Sequence, residues 1–63
     1  MSVLRNKSGE VLGTFPGGAD AAIEAAPGGI SWRLIDDQPF ERNGYIDKPP
    51  YGRTEPDYTI RQE

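Results

Sequence analysis

The 63-residue sequence contains no cysteine and no histidine. Without thiols and imidazoles the chain cannot form disulfides or the usual zinc sites, and it lacks the commonest nucleophile–base pairs. Its longest apolar run is far shorter than the roughly 18–20 residues that a membrane-spanning helix needs. Ten acidic against seven basic residues give a net charge of −3, without the basic footprint of nucleic-acid or anionic-lipid binders. We therefore expect a non-catalytic protein that binds neither nucleic acid nor membrane.

Two short motifs suggest ion binding but lack the residues that such sites need. Gly17-Gly18 precedes an alanine-rich segment without the Lys and Ser/Thr of a phosphate loop, and Asp20 adds a negative charge there. Asp36-Asp37 lacks the alternating acidic spacing and the downstream Glu of a calcium loop. We expect a loop and a strand end, with no cofactor, metal ion or small-molecule substrate.

The chain is short for a stable domain. A protein of this size buries only about 60% of the surface that its unfolded chain exposes. Small domains usually compensate with disulfides, a metal or assembly, and the first two need ligands that are missing here. The N-terminus has no basic region followed by an apolar one, so we expect synthesis in the cytoplasm. Assembly with other protein subunits is the predicted source of stability.

The composition changes near Pro39. Residues 1–37 hold 16 of the 22 apolar residues, whereas residues 38–63 hold six, together with nine charged residues and four prolines. This contrast predicts a compact mini-domain over residues 1–37 and an extended C-terminal arm over residues 38–63.

The mini-domain begins with a predicted β-hairpin. The turn-rich tetrapeptide Asn6-Lys7-Ser8-Gly9 separates the apolar pairs Val3-Leu4 and Val11-Leu12. A four-residue loop would set Arg5 opposite Glu10, Leu4 opposite Val11 and Val3 opposite Leu12.

A short helix and a third strand complete the predicted mini-domain. Residues 19–26 are rich in alanine and end at Pro27-Gly28-Gly29, and a helix this short must pack on the hairpin to persist. Residues 30–35 alternate between apolar and polar side chains, which predicts a strand. The predicted fold is therefore α+β, a ββαβ body followed by the arm. Ile30, Trp32 and Leu34 are predicted to face inward, and Trp32 and Phe15 to be the main core residues of the body.

The arm carries the predicted partner-binding residues. Tyr45, Tyr51 and Tyr58 recur at spacings of six and seven, and Pro49 and Pro50 favour polyproline II geometry between them. Aromatic anchors on a stiff polar segment suit a peptide laid along a groove of another protein. A disordered solubilising tail is the alternative. The predicted contacts are Phe40, Tyr45, Tyr51, Tyr58 and Ile60, with Pro49 and Pro50 setting the course of the arm.

The architecture of the chain rests on two segments and the arm. The segments are Leu4-Arg5-Asn6-Lys7-Ser8-Gly9-Glu10-Val11-Leu12 and Ser31-Trp32-Arg33-Leu34-Ile35-Asp36-Asp37. This architecture resembles that of small structural proteins of tailed bacteriophages, which decorate capsids or sit at tails, baseplates and fibre attachments. The resemblance implies a virion protein that attaches to or cements neighbouring subunits in a symmetric assembly after synthesis in the host cytoplasm.

A second hypothesis is a small acidic regulatory binder, similar to an antitoxin or inhibitor, whose arm folds on a single protein target. Copy number separates the two hypotheses. A structural component occurs in symmetric multiples within a large particle, whereas an inhibitor forms a small complex of fixed stoichiometry.

Overall fold

The computed structural model describes residues 1–35 and 38–63, and of Gln38 and Pro39 the backbone only. Its elements are β1 (Ser2–Asn6), β2 (Val11–Phe15), α1 (Ala19–Ala25), β3 (Ile30–Ile35), β4 (Gln38–Ile46) and β5 (Tyr58–Gln62). The strands form one antiparallel sheet in the order β2-β1-β5-β4-β3. The α+β class is therefore confirmed in its coarse form, a small and mostly antiparallel sheet with one short helix.

The C-terminal residues take a different place from the one predicted. The ββαβ body with an extended arm is not confirmed, because β4 and β5 both belong to the sheet and β5 lies between β1 and β4. All five residues of β5 pair with β1, from Ser2 opposite Gln62 to Asn6 opposite Tyr58. A strand with only two apolar residues is stable here because it is hydrogen-bonded on both sides.

The predicted hairpin between β1 and β2 is present, but its register is not the predicted one. Asn6, rather than Arg5, pairs with Glu10, since Asn6 N donates to Glu10 O at 3.0 Å. The Asn6 Oδ1 atom also accepts hydrogen bonds from the amides of Ser8 and Glu10, each at 3.0 Å. Gly9 closes the turn with a φ of 85°, a left-handed conformation that glycine adopts without a steric penalty. The Asn6 side chain therefore shortens the loop.

A bulge then shifts the pairing further along the hairpin. Arg5 pairs with Val11, whereas Leu4 pairs with Gly13, so Leu12 is the additional residue. Val11 consequently lies on the opposite side of the sheet from Leu4, contrary to the predicted register. Val11 and Leu12 both remain about half exposed.

The hydrophobic core lies between α1 and one side of the sheet, which we call the helix side. Leu4, Ala22 and Ile60 form its buried centre. A seven-residue helix depends on such packing, because it is too short to hold by itself. The predicted packing of α1 on the hairpin and the predicted core positions of Phe15 and Trp32 are confirmed. The partly buried residues around the centre are Phe15, Ala19, Ile23, Ala26, Trp32 and Tyr58.

Within residues 1–35 and 38–63, no helix has the length and apolar character needed to cross a membrane.

The two ends of the chain are joined on the sheet. Glu63 N donates to Met1 O at 2.8 Å, and the Arg5 guanidinium contacts the Glu63 carboxylate at 2.9 Å. The hydrogen bond from Arg5 lowers the pKa of Glu63 below its ordinary value of 4.5. Because the pKa of Glu63 is lower in the folded chain than in the unfolded chain, the Arg5–Glu63 pair stabilises the fold. Its contribution to the free energy of unfolding is complete above the ordinary pKa and is lost as the pH falls through the lowered pKa.

We therefore expect the Glu63 side-chain carboxyl to titrate below its ordinary value in an NMR pH titration of the folded protein. In the Arg5→Gln variant its midpoint should move up toward that value. An unchanged midpoint in this variant would show that Arg5 does not control the titration. High salt should reduce the difference, because the pair is exposed to solvent.

Candidate protein-interaction surfaces

The helix side of the sheet is only partly covered. α1 packs on β1, β2, β4 and β5, whereas within the described residues no Cα atom of α1 lies within 8 Å of a Cα atom of β3. Leu34 on β3 is 56% exposed and Phe40 on β4 is 67% exposed. Leu34 was predicted to face inward; it does lie on the helix side, but α1 does not reach it. With the half-buried Trp32 they form what we call the helix-side patch: Trp32, Leu34 and Phe40.

The members of the helix-side patch lie on one surface. Leu34 pairs with Arg42 and therefore shares its side of the sheet. The pairing of β3 with β4 shifts beyond Leu34, and the place of Phe40 follows from the hollow that it lines together with Arg42 and the first residue of α1, Ala19. Trp32 connects the patch to the core, since its ring lies 6.5 Å from that of Tyr58 between centroids.

The opposite side of the sheet, which we call the open side, has no helix over it within the described residues. It carries both charged and apolar side chains, since Val3 is buried there opposite Arg61 and Val11 is about half exposed opposite Arg5. Glu41 pairs with Arg61 across β4 and β5 and forms an ion pair with it. The guanidinium carbon of Arg33 lies 5.2 Å from the centroid of the Tyr45 ring, a cation–π geometry.

A hollow of about 130 Å³ lies on the open side where β4 leads into the loop over residues 47–57. We call it the Tyr45 hollow. Arg53 holds this loop against the sheet by donating to Ile46 O and by pairing with Asp57 at 3.5 Å. Asp57 in turn accepts a hydrogen bond from Ile46 N at 2.9 Å. The residues that line the hollow are Ser31, Arg33, Tyr45, Ile46, Asp47, Tyr51, Gly52 and Arg53.

Five of the seven predicted partner-binding residues reach solvent away from the core, but they do not form one surface. Phe40 belongs to the helix-side patch, whereas Tyr45 and Tyr51 line the hollow on the open side. Pro49 and Pro50 are exposed in a series of bends with a cis bond between them, not in polyproline II geometry. Their roles in partner binding stay predictions.

The other two predicted residues are part of the core. Ile60 has no exposed surface, and Tyr58 is half-buried and packs beside Trp32. Ile60 is therefore a core residue rather than a partner contact. The physical reason is that Ile60 is the middle residue of the central strand β5, where it pairs with Leu4 and packs with Ala22 of α1.

Sequence reasoning did not identify Arg33 or the outer edge of β3. Arg33 occupies a polar position of the alternating strand, and this pattern is the same for a central strand as for an edge strand. Only the pairing with β4 on one side shows that β3 is an edge strand.

No group of three acidic, histidine or cysteine side chains within residues 1–35 and 40–63 could hold a metal ion. The Asp36-Asp37 pair lies outside the described residues. Protein-family models, curated proteins and solved structures were compared with the chain, and none of the three comparisons found a match.

Proposed function

We propose that this chain is a non-catalytic protein that attaches to neighbouring protein subunits in a larger assembly and docks through the helix-side patch. The observation that carries the proposal is the exposure of Leu34 and Phe40 beside a core that the helix does not fully cover. A large aromatic side chain at such a place is a typical interface anchor, since a partner can bury it at a small cost in side-chain entropy.

The partner that fits the patch presents an apolar surface beside α1. A helix or loop of a neighbouring subunit would continue the layer that α1 begins and would cover Leu34 and Phe40 together. In this arrangement the folded body, rather than an arm, makes the attachment. The narrower form of the proposal is a structural protein of a tailed-phage virion, and its support is the architectural resemblance of the sequence.

Replacing Phe40 with serine should reduce incorporation into the assembly about tenfold or more, because losing a buried aromatic anchor typically costs about 2 kcal/mol or more. The measurement is the copy number of the tagged chain in particles from its native source, separated on a density gradient. Tyr51→Ser is the matched control, since Tyr51 is similarly exposed but lies on the open side. Its copy number should equal that of the wild type.

Three results would contradict this proposal. A loss with Tyr51→Ser but not with Phe40→Ser would move the attachment to the loop over residues 47–57. Equal incorporation of both variants would exclude the helix-side patch. A wild-type chain that stays among small complexes would exclude a role in a large assembly.

The second candidate is a small acidic regulatory binder with a single protein target. The observation that favours it is that β5 is central and Glu63 N is hydrogen-bonded to Met1 O, so the first and last strands of the described residues belong to one sheet. Such a body does not need an assembly to order its C-terminal residues. A complex of fixed one-to-one stoichiometry in sedimentation velocity would favour this candidate over the structural protein.

A further inference from the structure

The outer edge of β3 has no partner strand within the described residues. Asp47 N donates to Gly29 O at 2.9 Å, which marks these two residues as a hydrogen-bonded pair. Because such pairs alternate along an antiparallel ladder, Ser31 and Arg33 bond to β4. The backbone amide and carbonyl groups of the alternate residues, Ile30, Trp32 and Leu34, therefore point away from β4, toward the outer edge.

The β3 edge is suited to pairing with another strand. Its pairing with β4 is regular over the five residues from Ile30 to Leu34 and shifts only at the end of the strand, between Leu34 and Ile35, and β3 contains no proline. The opposite edge of the sheet, β2, is interrupted by a bulge at its pairing with β1, and bulges are a common protection of edge strands. Of the two edges, β3 is thus the better template for an added strand.

Arg33 is the charged residue of this edge that a partner could bind. The guanidinium groups of Arg5, Arg53 and Arg61 each contact a carboxylate, those of Glu63, Asp57 and Glu41. Arg33 instead lies over the face of the Tyr45 ring, and no carboxylate within residues 1–35 and 40–63 pairs with it. Stacking on a ring occupies one face of a guanidinium and leaves its N–H groups available along the edges.

We propose that the β3 edge binds an extended segment of another protein in which acidic and apolar side chains alternate. Side chains directly opposite each other in a sheet share a side, so the residue opposite Arg33 faces the open side and supplies the carboxylate. The residues opposite Trp32 and Leu34 face the helix side and supply apolar contacts. The inference rests on the proposed attachment function and specifies the chemistry of the partner.

A second copy of this chain is a poorer occupant of the edge. The strand that it would offer, β3 itself, carries Arg33 as its only charged residue. An antiparallel pairing of β3 with β3 centred on Arg33 therefore sets the two arginines opposite each other, which is electrostatically unfavourable.

The test is an NMR titration of the isotopically labelled full chain with the capped peptide Thr-Val-Glu-Val-Glu-Val-Thr. We expect chemical-shift changes centred on the amides of β3, and no binding of the matched peptide with lysine in place of glutamate. Arg33→Gln should weaken the affinity about tenfold, the effect of losing one charge-assisted hydrogen bond. Arg61→Gln is the control, since Arg61 lies on the same side but already pairs with Glu41. Its affinity should equal that of the wild type.

The proposal is overturned if no shifts centre on β3, or if the two arginine variants bind alike. It is also overturned if the chain dimerises through β3 in the absence of peptide, since a second copy then occupies the edge. The experiment is independent of the proposed function, because Phe40→Ser should keep peptide binding while it loses incorporation. If the Arg33→Gln variant is incorporated into particles and the Phe40→Ser variant is not, the helix-side patch is the attachment site and the β3 edge has no part in the attachment.

Discussion

Replacing Ile60 with alanine should lower the thermal midpoint by about 8 °C or more and leave a large fraction of the chain unfolded at 37 °C. Ile60 has no exposed surface and is the largest fully buried side chain among the residues that the structure describes. Truncating a buried isoleucine to alanine costs about 2–5 kcal/mol. A chain of this size has a free energy of unfolding on the order of 3–9 kcal/mol, and each kcal/mol shifts the midpoint by roughly 4–8 °C. The measurement is a circular-dichroism melt.

Two variants control for the size and the place of the change at Ile60. Ile60→Val removes one methylene group and should cost about 0.5–1.5 kcal/mol. Leu34→Ala makes a comparable truncation at a side chain that is 56% exposed, and it should change the free energy of unfolding by less than about 1 kcal/mol. If Ile60→Ala melted like the wild type but lost its partner, Ile60 would belong to an arm as the composition predicts.

Gly44→Ala should also destabilise the fold, by about 1–3 kcal/mol, because it overfills a closely packed site. Gly44 is buried on β4, where it pairs with Trp32 on one side and with Tyr58 on the other. A Cβ atom there would lie 2.6 Å from Trp32 Cζ3 and 2.8 Å from Ile30 Cγ2. The indole ring must move to admit a methyl group, and its neighbour Tyr58 restricts that movement.

The Gly44→Ala experiment combines a thermal melt with near-ultraviolet circular dichroism, which reports the environment of the single tryptophan. We expect a lower midpoint and an altered tryptophan signal. Gly28→Ala is the matched control, because among the described residues no atom beyond the two chain neighbours lies within 4 Å of the added methyl group. It should be neutral or slightly stabilising, since it reduces the freedom of the unfolded chain. Equal effects at the two glycines would mean that Gly44 is not closely packed.

Patterns that depend on near neighbours in the chain were predictable. The apolar pairs around Asn6–Gly9 predicted the hairpin, and the alanine-rich segment predicted the helix. The hairpin register was wrong because Asn6 caps the turn with its side chain and because Leu12 bulges. Turn residues indicate that a hairpin forms, whereas one local side-chain hydrogen bond or one additional residue sets its register.

The sequence by itself determined the limits on the chemistry and the local elements: no thiol or imidazole sites, an acidic chain, a hairpin, a short helix and the strand over Ile30–Ile35. Only the tertiary structure decided what residues 38–63 do. Their composition is typical of an arm, but β5 pairs with both β1 and β4, and β1 lies more than 50 residues away in the chain. Pairing between strands so far apart in the chain leaves no local pattern in the sequence, because backbone groups can form these hydrogen bonds whatever the side chains are. The burial of Ile60 in turn depends on where α1 packs. For the same reason the sequence did not predict the β3 edge or the helix-side patch. The β3 edge depends on which strand is outermost in the sheet, and the helix-side patch depends on how far α1 extends over the sheet.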